Sequence, residues 1–269
     1  MSKVLESKTA YALAGAYSAV AYLLTLGAFA GLFCFLMDVG LPRSVDDGPG
    51  GPVGLALVVD VGLILVFGLQ HTVMARPSFK RWWTRTVPQP IERSTYMLLS
   101  LCALALLYWQ WRPISAGVWD LHGAAAWVAY GAHALGWVVL FVSIFLLDHL
   151  ELTGLRQTWL RGRGGMRRLE TPLLYRFVRH PMMVGWIIIF WATPRMTVGH
   201  LLLAAGMSAY ILVALHFEER NLVDAFGAAY QRYQRDVPRL LPVRMGSAAR
   251  RAASPTGRRP GGGAHEPRA

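Results

Sequence analysis

The chain has 269 residues, of which 54% are hydrophobic and only 16% are charged, and its formal net charge is +12. A water-soluble protein carries roughly 25% charged residues, so this composition excludes an ordinary soluble enzyme and a disordered chain. The basic residues lie between apolar stretches, where they meet anionic lipid head groups, so we predict a partner bilayer and no nucleic acid.

Apolar stretches long enough to cross a bilayer follow one another along the chain. About 20 helical residues span the bilayer core, and nearly uncharged stretches of that order lie at 9–37, 53–75, 94–111, 121–147 and 182–217. Proline and arginine interrupt the last stretch at 193–196, which predicts a tight hairpin of two helices. We therefore predict an all-α integral membrane bundle of about six transmembrane helices.

Charges on the connecting segments predict the orientation, because basic connections collect on the cytoplasmic side. Segments 76–93, 148–181 and 218–269 hold five, seven and ten basic residues against one, three and five acidic ones. The alternate connections 38–52 and 112–120 carry net charges of −2 and zero. We expect both termini to face the cytoplasm from the bacterial inner membrane.

The C-terminal segment differs in composition from the rest of the chain. Residues 246–269 are rich in glycine, proline, alanine and arginine and show no apolar periodicity. We predict a membrane domain over 1–245 and a disordered basic tail over 246–269.

Ionisable side chains cluster at the predicted cytoplasmic ends of four helices. Such groups are costly in a membrane and are therefore candidate site residues. They are His71; Asp148, His149 and Glu151; Arg179 and His180; and Glu218 and Glu219. Together they predict a reaction chamber at the membrane surface. The alternatives are a hydrogen bond to a neighbouring helix for His71 and a solvated helix end for residues 148–151.

The strongest local pattern is Arg179-His180-Pro181, followed one turn later by Gly185. Proline at a helix start costs no hydrogen bond and glycine permits close approach, so a ligand can lie against this helix. The pair Glu218-Glu219 returns to the same interface across the predicted hairpin. There, carboxylates can accept from ribose hydroxyls or an amino group, or pair with Arg179.

These residues, with Gly227, Tyr230 and Tyr233, resemble the C-terminal module of membrane methyltransferases that use S-adenosyl-L-methionine. Examples are the isoprenylcysteine carboxyl and bacterial phospholipid N-methyltransferases, which are alternative functions. Met183 replaces a tyrosine of that module, which argues against a carboxyl methyltransferase. The residues assigned to the cofactor are Tyr175, Arg179, His180, Pro181, Met183, Gly185, Leu215, His216, Glu218, Glu219, Tyr230 and Tyr233.

A closer resemblance covers nearly all of residues 10–243. The motifs at 70–76, 92–96, 152–157 and 179–194 resemble those of the methanethiol S-methyltransferases. That resemblance implies methylation of methanethiol to dimethyl sulfide by S-adenosyl-L-methionine. Membrane proteins of the NnrU group, tied to nitrogen-oxide metabolism, share part of the pattern around the second span and remain an alternative.

A thiol substrate determines what the catalytic residues must do. Only the thiolate is an effective nucleophile, so a base is needed, and histidine has a suitable unperturbed pKa. We expect His71, with Asp148 or His149, to take the thiol proton or relay it to solvent. Further candidates are Arg93 for the catalytic set, and Tyr96, Gln157 and Trp186 for the substrate pocket.

Other classes of protein remain as alternatives. A haem protein would use paired histidines, of which the chain offers several. A zinc site could form from His71, Asp148 and His149 and would also activate a thiol. The principal interpretation assigns no metal, and the oligomeric state is left open.

Overall fold

The computed structural model describes residues 8–147, 149–159, 169 and 171–242. In this part of the chain, five helices are long and apolar enough to cross a membrane, and a shorter apolar helix, α8, precedes the last of them. They are α1 (Lys8–Met37), α2 (Val53–Ala75), α4 (Glu92–Gln110), α5 (Gly123–Leu146), α8 (Pro181–Trp191) and α9 (Val198–Phe226). The predicted all-α integral membrane bundle is confirmed.

Short elements connect and flank these helices. Four are helical: α3 (Pro77–Trp83), α6 (His149–Thr153), α7 (Leu155–Trp159) and α10 (Ala228–Asp236). Two short 3-10 turns lie at Gln89–Ile91 and Leu173–Arg176. The strands β1 (Gly117–Asp120) and β2 (Arg195–Thr197) pair antiparallel, with Trp119 opposite Met196. The predicted break at 193–196 therefore closes the hairpin of α8 and α9 as a strand rather than as a bare turn.

The helices give the bundle two distinct ends. The "strand end" holds the strands, the C-terminal end of α1 and the N-terminal ends of α2, α5 and α9. The "basic end" holds the opposite helix ends together with the described parts of the segments rich in arginine, 76–93, 148–181 and 218–242. Helix α9 extends nine residues past Phe217, where the apolar stretch stops, so Glu218 and Glu219 lie within it rather than after it.

The outer surface of the bundle is apolar. Leu13, Val58, Leu69, Trp127 and Val128 are each more than 60% exposed. Exposed apolar area on this scale does not persist in water and marks a surface that contacts lipid. The protein is therefore an integral membrane protein.

Helices α5 and α8 approach each other closely. A Cβ atom added at Gly185 would lie 2.9 Å from the Gly136 carbonyl oxygen and 2.8 Å from the Leu140 nitrogen. Only glycine allows two helix backbones to approach so closely. Sequence reasoning expected Gly185 to make room for a ligand, but the space is taken by α5, because the small residue faces the helix neighbour.

Helix α8 is short, and side chains from neighbouring elements complete its C-terminal end. His200 Nε2 lies 3.1 Å from the Phe190 carbonyl oxygen, and His133 Nδ1 lies 3.2 Å from that of Ala192. Trp119 Nε1 donates to the Thr193 carbonyl oxygen over 3.1 Å. Backbone carbonyls inside a membrane need such partners, so these polar residues serve the helix end.

Candidate active site

The start of α8 is held by a segment close to the end of the described chain. The Arg179 backbone nitrogen donates to the Pro238 carbonyl oxygen over 2.9 Å, and that of His180 donates to the Arg239 carbonyl oxygen over 3.2 Å. Pro181 occupies the first turn of α8, where its missing N–H costs nothing. We call residues 237–239 the C-terminal strap. These hydrogen bonds fix the strap against the backbone of residues 179–180.

An ion cluster centred on Glu219 joins α9 to this turn. Arg179 Nε donates to Glu219 Oε1 over 2.8 Å, and His180 Nε2 lies 3.1 Å from the same oxygen. Arg239 Nε lies 3.5 Å from Glu219 Oε2. The Arg179 and Glu219 side chains are only 11% and 14% exposed, so water screens the pair weakly.

Arg179 also holds the strap directly. Its Nη1 atom donates to the carbonyl oxygens of Gln234 and Val237, over 2.7 and 2.9 Å. One guanidinium thus orders α9, the end of α10 and the strap together. Burial lowers the pKa of His180, although Glu219 opposes the shift, so His180 has a reduced tendency to carry a charge beside two arginines.

A small cavity of about 100 Å³, partly open to solvent, lies against this cluster. The residues that line it come from α8, α9, α10, the turn before α8 and the end of α5. They are Leu147, Leu169, Tyr175, Arg179, His180, Met182, Met183, Glu218, Leu222, Tyr230 and Tyr233.

The tyrosines of the cavity wall remain neutral phenols. Burial is the largest cause that raises the pKa of Tyr175 and Tyr230, and it raises that of Tyr233 to about 12. Tyr233 donates to the Tyr175 carbonyl oxygen, whereas the buried Tyr230 hydroxyl has no hydrogen-bond partner among the described residues. A buried hydroxyl without a partner is costly, so the Tyr230 hydroxyl is a ready contact for a ligand.

The cavity contains seven of the residues that sequence reasoning assigned to the cofactor: Tyr175, Arg179, His180, Met183, Glu218, Tyr230 and Tyr233. Glu219 joins it through Arg179 and His180. Pro181, Gly185, Leu215 and His216 do not line it: Leu215 is fully buried in the core and His216 is exposed.

His71 lies apart from the cavity in largely aromatic surroundings between α2, α4 and α9, which we call the His71 pocket. Its Nδ1 atom is 3.1 Å from Ser100 Oγ, and its ring stacks on that of Phe67 with centroids 5.6 Å apart. The rings of Tyr96 and Tyr210 lie 5.0 and 6.4 Å away. The Tyr96 hydroxyl donates to the His71 carbonyl oxygen over 3.4 Å.

The His71 pocket and the cavity lie on the same half of the bundle but at different depths. Tyr210, which contacts His71, precedes Glu218 by eight residues, or about 12 Å along a helix with 1.5 Å rise per residue. The Arg76 guanidinium, just after the end of α2, lies 3.7 Å above the ring of Phe217, which is in the second half of α9 between Tyr210 and Glu218. His71 is therefore deeper in the membrane than the ion cluster.

The remaining predicted site residues occupy other places. The His149 ring contacts Phe145 and Tyr22, with centroids 4.5 and 6.2 Å away, while Trp186 packs against Phe29 and Trp137 at 5.7 and 6.1 Å. Arg93 lies at the start of α4 against Gly154. Asp148 and the Gln157 side chain lie outside the described residues, as does the predicted tail 246–269.

Sequence reasoning missed several neighbours of the predicted residues. Leu222 lies one turn after Glu218 on α9, so helical periodicity would have found it. Ser100 lies one turn after Tyr96 in the same way. Tyr210 and Arg239 become neighbours of His71 and Glu219 only through tertiary packing, which no local pattern signals. Among the described residues, no group of three histidine, cysteine, aspartate or glutamate side chains could hold a metal ion.

The family model described as NnrU protein matches residues 61–253, which is well over half of the chain. The chain belongs to the NnrU family. Proteins of similar sequence include "Methanethiol S-methyltransferase" of Mycobacterium tuberculosis, 52% identical over 84% of this chain and 94% of that protein. "Methanethiol S-methyltransferase 2" of Bradyrhizobium diazoefficiens is 48% identical over 84% of this chain and 88% of that protein.

This NnrU family member also has relatives with another name. "Nurim" of Bos taurus is 30% identical over 62% of this chain and 68% of that protein. No solved structure shows significant similarity to the chain. The resemblance to methanethiol S-methyltransferases expected from the sequence is confirmed, since the match covers most of both chains.

Proposed function

We propose that this NnrU family protein methylates methanethiol to dimethyl sulfide with S-adenosyl-L-methionine as the methyl donor. The observation that carries the proposal is the identity of about half over most of both chains to proteins named for this reaction. The cavity beside the Glu219 ion cluster supports it, because charged and polar side chains line it next to the start of α8.

The chemistry of the cavity fits the donor. S-adenosyl-L-methionine carries a carboxylate, an ammonium group, ribose hydroxyls and apolar surface. Arg179 and His180 suit the carboxylate, Glu218 suits the ammonium or hydroxyl groups, and Tyr230 has a buried hydroxyl to offer. Met182 and Met183 provide soft apolar surface. When bound, the donor supplies a methyl group bonded to a positively charged sulfur.

Glu219 organises this site without lining the cavity. Its carboxylate is shared among Arg179, His180 and Arg239, and the partners of Arg179 include two carbonyl oxygens beside the strap. We therefore assign Glu219 the role of holding Arg179 and His180 in place. The direct contacts with the donor come from the residues on the cavity wall.

His71 is the base that we propose for the thiol. An alkyl thiol is an acid about as weak as cysteine, with a pKa of about 8.5, so proton removal must accompany attack. The proton goes to His71, and the electron pair of the broken sulfur–hydrogen bond stays on the thiol sulfur. With the donor bound, that sulfur would form the new bond to the methyl carbon as the bond from this carbon to the donor sulfur breaks, and S-adenosyl-L-homocysteine would leave. Asp148 and His149 are proposed to relay the proton to solvent, with Arg93, Tyr96 and Gln157 shaping the pocket.

The depth of His71 suits a small apolar substrate. Its pocket is walled by the rings of Phe67, Tyr96 and Tyr210, and methanethiol partitions readily into apolar surroundings. A thiol can thus reach His71 from the bilayer while the charged donor arrives from the basic end. We propose that this end faces the cytoplasm of a bacterial inner membrane, where the donor is made.

Headspace analysis tests the proposal. Purified protein in detergent is mixed with S-adenosyl-L-methionine and methanethiol, and dimethyl sulfide is measured by gas chromatography. We expect product that requires all three components. A prenylated cysteine is the matched acceptor for a carboxyl methyltransferase, and methyl transfer to it instead of to methanethiol would overturn the proposal.

A further inference from the structure

Ser100 contacts both the Tyr96 backbone and the His71 ring. It lies one turn after Tyr96 on α4, and its hydroxyl oxygen is 3.0 Å from the Tyr96 carbonyl oxygen. The same oxygen is 3.1 Å from His71 Nδ1. Serine on a helix commonly donates to the carbonyl four residues earlier, so the first of these contacts is the ordinary one.

The single hydrogen of the Ser100 hydroxyl determines which ring nitrogen of a neutral His71 carries a hydrogen. A hydroxyl has one hydrogen and two lone pairs, and a carbonyl oxygen can only accept. When the Ser100 hydrogen points to the Tyr96 carbonyl, the Ser100 oxygen can only accept from Nδ1. The hydrogen of a neutral His71 therefore lies on Nδ1, and the lone pair lies on Nε2.

We propose that Ser100 is a positioning residue that fixes His71 in the Nδ1–H tautomer and so presents Nε2 as the base for the thiol. This inference rests on the proposed function and names the atom of His71 that receives the proton. The sulfur–hydrogen bond breaks, its electron pair stays on sulfur, and a new hydrogen bond donor forms at Nε2.

The residues around the His71 ring keep its orientation, with Nδ1 toward Ser100, during turnover. Phe67 stacks on one side with an interplanar angle of 21°, and the rings of Tyr96 and Tyr210 flank the others, so packing opposes a ring flip. After proton transfer, the imidazolium still donates from Nδ1 to Ser100. The same oxygen therefore serves both states of His71 without rearrangement, which suits a proton transfer in a pocket of low polarity.

Nuclear magnetic resonance of the resting protein tests the tautomer without any turnover. Protein labelled with 15N-histidine is prepared in detergent, and His71 is assigned by the signals missing from His71→Gln. Couplings from the ring carbon protons distinguish a protonated from an unprotonated nitrogen. We expect protonated Nδ1 and unprotonated Nε2; the reverse pattern would overturn the proposal.

Variants of Ser100 test whether the tautomer matters for the reaction. Ser100→Ala should shift His71 toward the Nε2–H form and lower kcat by about tenfold, the scale of losing one hydrogen bond, with unchanged affinity for S-adenosyl-L-homocysteine. Ser100→Thr keeps the hydroxyl and should restore both the tautomer and kcat. A fall of kcat in Ser100→Ala without a change of tautomer would contradict the positioning role.

Ser208→Ala is the matched control. Ser208 is also a serine of a membrane helix that accepts from a ring nitrogen, that of Trp191 at 2.9 Å, but it lies away from His71. Its loss should leave kcat and the His71 signals unchanged. If His71→Ala keeps full turnover while the Nδ1–H tautomer is observed, the catalytic role of His71 fails and the tautomer assignment stands; the two failures are thus distinguishable.

Discussion

The two ends of the bundle use polar residues in opposite ways. At the strand end, Thr197 and His200 are completely buried, and each has partners in the chain: Thr197 donates to Asp46, and His200 lies against the Phe190 carbonyl. At the basic end, Tyr230, Glu218 and Arg179 border a cavity, although Arg179 also has partners in the chain. Both ends contain histidine, carboxylate and hydroxyl groups, so residue type alone does not separate a structural site from a functional one.

What separates the two ends is whether the side chains that bond the backbone also border a cavity. The strand end must complete the carbonyls of a helix that stops after 11 residues, and His133, His200 and Trp119 do so. At the basic end, α9 continues nine residues beyond its apolar stretch. Arg179 and Tyr233 bond backbone carbonyls there, but they also border the cavity.

The replacement His71→Ala should produce the largest effect. We expect turnover to fall by about a hundredfold or more, the usual contribution of a general base, while S-adenosyl-L-homocysteine still binds. His122→Ala at the strand end is the matched control, because that histidine is exposed and lies far along the chain from the pocket. Gas chromatography of dimethyl sulfide gives both rates, and equal rates would remove His71 from the mechanism.

Replacing Glu219 should act on the donor rather than on the thiol. Glu219→Ala frees Arg179, His180 and Arg239 from their shared partner, so we expect the affinity for S-adenosyl-L-homocysteine to fall at least tenfold, as expected for losing hydrogen bonds to a charged group. Isothermal titration calorimetry in detergent measures it. Asp120→Ala, which removes an exposed carboxylate at the strand end, should bind normally; unchanged affinity in Glu219→Ala would contradict the assignment.

A change at the strand end should affect stability alone. Thr197 accepts from the His200 backbone nitrogen as the N-cap of α9 and donates to Asp46. Thr197→Val removes both bonds and should cost about 1–2 kcal/mol of unfolding free energy, measured by thermal unfolding in detergent. Turnover of this variant, measured well below its unfolding temperature, should match that of the wild type. A loss of turnover at that temperature would contradict a purely structural role for the strand end.

The smallest effect should come from pH at the strand end. Burial raises the pKa of Asp46 above its usual 3.8, despite the bond from Thr197 and the charge of Arg195. Because the pKa of Asp46 is higher in the folded state, its contribution to the unfolding free energy is complete below pH 3.8. That contribution is lost as pH rises through the folded-state pKa. Asp46→Asn should reduce the slope of the unfolding free energy against pH. An equal slope in the variant and the wild type would contradict this prediction.

Length and charge predict most of the fold, whereas contacts between distant helices are harder to predict. Apolar stretches predicted α1, α2, α4 and α5 within a few residues, because the bilayer thickness fixes helix length. The end of α9 was missed because its last nine residues are polar yet helical, and Gly227, with a φ of 54°, is what ends the helix. Hydropathy measures contact with lipid rather than helix formation.

The candidate site could also be predicted only in part. Arg179, His180 and Glu218 could be placed together because a helical hairpin returns the chain to its starting side, a property of connectivity. Ser100 and Tyr210 could not be associated with His71, since rotation of each helix about its axis decides which residues meet. Gly185 shows the same limit, because its identity as glycine indicates a close neighbour but not which one.

The C-terminal strap sets an order of assembly. Each membrane helix of the described residues precedes Pro238 and Arg239 in the chain, so translation delivers these helices before the residues that accept the hydrogen bonds of Arg179 and His180. The bundle can therefore insert first, and the turn before α8 is fixed last. A nascent chain would hold its helices in the bilayer before the ion cluster around Arg179 and Glu219 is complete.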